Sequence, residues 1–200
     1  MRKRMRIGRY ILTGAPRSGK TTVIRELSSH CKVFEEPVSR IVKQQVLSLK
    51  EKGEIIPAHS VSLSKLFPQI EVFFESCLRL FLADYEESQW LNLSLFDRGL
   101  PDLIVLHELL GTTIVPGLVS IIKEYSYSRK VFLFDLLDRA LFNIHIKQRP
   151  PFRTYEECRR IGDRIAETYQ QLGYDITIVP FDTVENRKLF VLERIDIPQE

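Results

Sequence analysis

The chain has 200 residues, 44% hydrophobic and 28% charged, the make-up of a globular protein large enough to bury a core without disulfide or metal staples. A net charge of +3 is too small to argue for a nucleic-acid partner, and its excess gathers at Arg2, Lys3, Arg4, Arg6 and Arg9, which read as a solvated arm ahead of the first strand. Gly8 and Arg9 interrupt any apolar run behind that arm, so it does not read as a signal peptide, and no apolar run is long enough to span a bilayer.

Residues 10–13, Tyr-Ile-Leu-Thr, read as a short buried strand. Gly14-Ala15-Pro16-Arg17-Ser18-Gly19-Lys20-Thr21 then fits the pattern G-x-x-x-x-G-K-[ST], and Thr22 onward opens a helix with Val23, Ile24 and Leu27 on one face. Strand, glycine-rich turn and helix N-terminus together make an anion cradle of inward backbone N–H groups backed by the helix dipole. Lys20 is suited to pair with β- and γ-phosphates and the Thr21 hydroxyl to join a Mg²⁺ shell. The chain is therefore expected to bind a nucleoside triphosphate, ATP or GTP, through residues 14–22.

A second strand over 32–35 ends in Glu35 and Glu36, and Pro37 starts a helix at an allowed first position. A carboxylate at that strand end is suited to accept a proton from an acceptor hydroxyl or to help hold Mg²⁺; the competing reading is a helix-capping acid. Alternation along the strand turns the two acids to opposite sides, and Glu36 is the one assigned to the site. Residues 53–59 read as a loop and 60–89 as a long helical pattern that Pro68 is able to split. The next strand, 91–96, ends in Asp97-Arg98-Gly99, with Asp97 suited to Mg²⁺ and Arg98 to clamping a phosphate or the acceptor, against the reading of a surface ion pair at a strand end. Helices follow over 101–110, closed by Gly111, and over 117–126.

A strongly β stretch, 130–136, leads into a polar, proline-containing segment, about 138–154, carrying Asp138, Arg139, Lys147, Arg149 and Arg153. That segment reads as a flexible basic lid, with Arg149 and Arg153 the candidates for transition-state charge. A helix over 155–172, capped by Gly173, a strand over 175–179 and a last helix over 183–195 complete the chain. The intervening Pro180, Asp182 and Thr183 are assigned to the nucleobase side, against an equal reading as plain turn residues. Cys31, Cys77 and Cys158, like His30, His59, His107 and His145, show no metal-ligand or disulfide spacing, which fits a cytoplasmic protein with reduced thiols.

Five strands alternating with helices predict one α/β domain over 1–200: three layers, a parallel sheet covered on both faces, with the polar groups at the C-terminal strand ends where ligands bind. The run GAPRSGKTT, the EEPV acid, LFDRGLPD and the tail from Gly162 to Ile195 resemble the AAA-type "predicted ATPase" family of small P-loop proteins. That family includes the ribosylnicotinamide kinase domain of a bacterial NAD-metabolism regulator and eukaryotic GTP- and phosphoinositide-binding members. The E-P-V and D-R pieces are also similar to deoxynucleoside kinases. The resemblance implies a P-loop NTPase fold of nucleoside/nucleotide-kinase type, with Lys20, Thr21, Glu36, Asp97 and Arg98 as functional positions. Two readings of activity follow. One is a kinase passing the γ-phosphoryl of ATP or GTP to a nucleoside-like or cofactor-precursor acceptor; the other is a nucleotide-binding regulatory module acting on a protein or acidic-lipid partner.

Overall fold

Five strands, all parallel, lie in the order β2-β3-β1-β4-β5 in the computed structural model, which describes residues 8–53, 66–148 and 153–195, the side chains of 145–148 excepted. They are β1 (Gly8–Gly14), β2 (Lys32–Phe34), β3 (Leu93–Asp97), β4 (Lys130–Phe134) and β5 (Asp175–Val179). The helices are α1 (Lys20–Leu27), α2 (Pro37–Glu51), α3 (Ile70–Ser88), α4 (Asp102–Leu110), α5 (Leu118–Glu124), α6 (Arg139–Gln148), α7 (Tyr155–Gln171) and α8 (Val184–Leu192).

Alternation along the central strand builds two cores. Ile11 and Phe96 face one side, among Phe73, Phe74, Phe81, Leu103, Ile165 and Tyr169 of α3, α4 and α7. Tyr10, Leu12 and Leu95 face the other, among Val23, Ile24 and Leu27 of α1 and Val191 of α8. Helices thus cover both faces, and β1, buried on each, can only be an interior strand. A third, smaller cluster joins Ala15 and Leu136 to Phe142 and Cys158, so α6 and α7 close over the phosphate-loop end of the sheet.

Most helix limits follow the punctuation in the sequence. Pro37 sits at the start of α2, α3 begins two residues after Pro68, and Gly111 and Gly173 take the left-handed conformation just beyond α4 and α7. Thr154 and Glu157 form a reciprocal capping box at the start of α7.

Two expectations change. The segment read as a flexible lid is helical over Arg139–Gln148, because Phe142 buries its ring against Tyr155 and Asp138 accepts from the Leu141 N–H at the helix start (2.8 Å). Arg9 is no part of a solvated arm: it lies in β1 with its guanidinium 4.7 Å above the Tyr85 ring. Arg2, Lys3, Arg4, Arg6, the loop read over 54–59 and residues 60–65 of the long helical pattern lie outside the described residues.

The connection from β1 runs to one edge of the sheet, at β2, and the connection from β3 crosses β1 toward the other, so the winding of the sheet switches between β3 and β1. A cleft opens at such a switch point. Every polar motif singled out above belongs to a segment that leaves this edge.

Candidate active site

The loop after β1 is shaped by backbone demands. Gly14 has φ 151°, and a side chain there would sit 2.7 Å from the Phe134 carbonyl of the adjacent β4. Gly19 takes φ 75° as the residue before α1, and Arg17 also adopts a left-handed conformation, φ 64°. Ala15 and Ser18 are buried, with Ser18 N–H donating to the Ala15 carbonyl, and Pro16 is partly exposed. Thr21 and Thr22 lie exposed on the first turn of α1, whose N-terminus opens into the cleft.

Lys20 is buried, and its ammonium pairs with the Asp97 carboxylate at the end of β3. Two buried opposite charges compensate each other where either alone would be costly. Arg98, next in the chain, holds φ 73°, a strained choice for a long side chain, and its N–H donates to the Leu12 carbonyl of β1. That turn swings the guanidinium back across the strand ends. Its Nε donates to Glu36 (2.5 Å) and its Nη1 to Asp102 (2.9 Å).

Glu36 stands just before α2, at its N-cap position, but its side chain caps no backbone N–H. One of its oxygens accepts from Arg98 and the other from the Ser39 hydroxyl at 2.6 Å. Burial pushes this carboxyl up, but the charges of Arg98 and Lys20 with the bonds from Ser39 and Arg98 outweigh it, holding Glu36 below the usual carboxylate range. It is ionised at neutral pH. Glu35 is exposed and faces Lys43 at 3.6 Å, away from the cleft.

Asp102 was not among the residues singled out, although LFDRGLPD contains it. One oxygen accepts from Thr13 (2.6 Å) and Arg98, the other from the Gly99 N–H (3.0 Å) and the Tyr169 hydroxyl (2.5 Å). It locks Arg98 to the sheet and to α7. Gly99 admits this approach: a Cβ there would overlap Ile11 and crowd the Tyr169 hydroxyl. Arg187 was missed as well. Buried on α8 and stacked 4.7 Å over Phe134, it donates from Nη1 to the Ser18 carbonyl of the loop (2.7 Å) and from Nη2 to the Asp135 carbonyl (3.2 Å). Its one sequence signal is an arginine at the apolar spacing Val184, Arg187, Val191.

Arg153 lies just ahead of α7 and lines a cavity with Pro16, Glu36 and Arg98. Arg149 lies outside the described residues. Arg139 pairs with Glu156 and stacks on Tyr155 at the surface. Pro180 is exposed, and the Asp182 carboxylate accepts from the Thr183 N–H (2.6 Å) and the Asn186 side chain (2.9 Å). Those contacts begin α8 and give Asp182 a turn-forming role. A Mg²⁺ ion would find its donors in the Thr21 hydroxyl and the Asp97 carboxylate; no cluster of three or more metal-binding side chains exists among the described residues. That sparse set fits an ion that keeps waters and takes substrate phosphates as its remaining ligands.

The model of a family described as AAA domain matches residues 9–187. No curated protein matches significantly. Among solved structures the chain is similar to a deoxyadenosine kinase from M. mycoides with bound dATP, at 16% identity and TM-score 0.56 over 93% of this chain and 98% of that one. It is similar also to a thymidylate kinase from Ehrlichia chaffeensis, at 15% identity and TM-score 0.55 over 93% and 97%. A thymidylate kinase from Candida albicans matches at 13% identity and TM-score 0.50 over 94% and 90%. At such identities the likeness establishes a shared fold: the P-loop NTPase fold of nucleoside and nucleotide kinases. No described helix is long and apolar enough to cross a membrane.

Proposed function

The chain belongs to the AAA domain family whose model it matches over residues 9–187, and from that premise we propose that it is a kinase. It takes the γ-phosphoryl of Mg-ATP or Mg-GTP and passes it to the hydroxyl of a small acceptor, nucleoside-like or a cofactor precursor. The observation that carries this reading is Glu36: an ionised carboxylate fixed by Arg98 and Ser39 beside the phosphate loop, on the wall of a cavity that opens next to Pro16. A binding module has no need of an oriented base there.

The loop N–H groups and the N-terminus of α1 receive the phosphates. Lys20 exchanges its Asp97 partner for β- and γ-oxygens. Bound Mg²⁺, held through Thr21 and Asp97, would neutralise phosphate charge. Glu36 accepts the proton of the acceptor O–H as its oxygen forms the new bond to phosphorus, while the bond from phosphorus to the bridging oxygen breaks and the diphosphate leaves with that electron pair. Arg98, kept charged by Glu36, Asp102 and Asp97 against the pull of burial, and Arg153 face the transferring group. Pro180 remains the candidate for the nucleobase side, with Asp182 shaping that turn.

The test is acceptor dependence. Protein with Mg-ATP or Mg-GTP is incubated with and without pools of nucleosides, cofactor precursors and simple alcohols, and diphosphate release is followed. A large jump with one pool is expected. Tight nucleotide binding with the same slow release in every pool would make the chain a regulatory binding module instead.

A further inference from the structure

The cavity beside Glu36 is small and one-sided. Its volume is about 180 Å³. Beyond the charged groups its wall is aliphatic and aromatic: Val38 of α2, Phe81 of α3, Leu103, Leu106 and Leu109 of α4, and Ile165 of α7. Among the described residues no amide, hydroxyl or imidazole side chain lines it. The charged members are Glu36, Arg98, Asp102 and Arg153, which leave a place for one hydroxyl but no matching edge along the aliphatic and aromatic wall. Both Asp102 oxygens are filled by Thr13, Arg98, Gly99 and Tyr169, and Glu36 and Arg98 bond each other.

Resting on the kinase reading and narrowing its acceptor away from nucleosides, we propose that the acceptor is a compact, uncharged alcohol whose body is a single apolar ring or a short branched alkyl group. Its hydroxyl lies at Glu36 and its carbon skeleton runs toward Leu106 and Ile165. Size and lining both select this class. An apolar cavity of roughly 150 Å³ accommodates one benzene ring, whereas pockets for drug-sized ligands begin at roughly 300 Å³. A nucleobase also brings ring nitrogens and exocyclic groups that the aliphatic and aromatic part of this wall leaves without partners, and an unpaired buried polar group weakens binding steeply. An alkyl or aryl body loses nothing on entry and gains by leaving water.

The experiment uses the full chain with Mg²⁺ and a non-hydrolysable ATP analogue. Benzyl alcohol, cyclohexylmethanol, glycerol and thymidine are each titrated by calorimetry and ligand-observed NMR, and a parallel series with Mg-ATP is read by ³¹P NMR for the alkyl phosphate. Binding and turnover of the two ring alcohols are expected to exceed those of glycerol and thymidine by about tenfold or more. Leu109→Trp at the exposed rim, which leaves the core intact, and Ile165→Phe inside are each expected to lower ring-alcohol affinity by a similar factor without moving nucleotide affinity. Stronger binding or turnover of thymidine or glycerol would overturn the apolar acceptor while keeping the kinase. Ring-alcohol binding that is absent, or unmoved by Leu109→Trp, would overturn it too. Ring alcohols that bind in the cavity, weakened by both variants, but never become phosphorylated would uphold the ligand class and reject the kinase reading.

Discussion

Lys20 rests its ammonium on the Asp97 carboxylate, and in the proposed role a bound triphosphate replaces that buried carboxylate with its β- and γ-oxygens. Lys20→Ala is expected to weaken triphosphate binding by roughly 1.5–3 kcal/mol, with a smaller change for the monophosphate, because a charge-assisted contact is lost. Calorimetry on the folded variant checks this, and equal losses for both nucleotides would remove Lys20 from the γ-phosphate. Arg98 governs the neighbouring carboxylate. It holds Glu36 below its usual range, so the ionised form is present above that range and is lost only as pH falls through the depressed value. In Arg98→Met the Glu36 carboxyl rises, and the acid limb of the kcat/KM profile is expected to move to higher pH. A limb that stays in place would mean that Glu36 is not the group titrating. Glu36, Asp97 and Arg98 are legible in the sequence because each ends an apolar run. Asp102 is not, since its role depends on a hydroxyl 67 residues away on Tyr169.

Elements carry the site only as well as their turns are made. Gly99 sits between the β3 arginine and α4, where a methyl group would overlap Ile11, a fully buried residue of the central strand. Gly99→Ala is expected to destabilise the fold by about 1–3 kcal/mol, the usual cost of overpacking, and to loosen Asp102. Thermal unfolding measures the first effect, and an unchanged midpoint would dismiss the close approach. At the start of α7, Thr154→Ala breaks the capping box just behind Arg153 and is expected to cost about 1 kcal/mol by denaturant titration. Helix ends marked by Pro37, Gly111 and Gly173 are readable because these residues act through their own backbone. Helix α6 is not: its charges and the prolines that follow it in the sequence mimic a loop, and what folds it is the burial of Phe142 against α7. Likewise a basic residue on α8 reads as solvated until Arg187 is found on the Ser18 carbonyl, 169 positions away.

At the scale of the whole molecule, a parallel sheet brings every β-to-α turn to one edge, so motifs scattered over most of the chain converge without being neighbours in sequence. The alternation of strands and helices predicts that edge, whereas the order β2-β3-β1-β4-β5 rests on long-range packing choices that local patterns do not encode. Convergence has a chemical purpose only if the carboxylate at the end of β2 acts on an acceptor. Glu36→Gln keeps the shape of that group and removes its basicity. The decisive measurement is therefore acceptor-dependent turnover of Glu36→Gln beside its nucleotide affinity, with Glu35→Gln as the exposed control. The account predicts turnover lower by about 10²–10⁴-fold, the usual worth of general-base help, with nucleotide affinity moved by less than about tenfold and Glu35→Gln close to wild type. Wild-type turnover in Glu36→Gln, or the large loss appearing in Glu35→Gln instead, would contradict it.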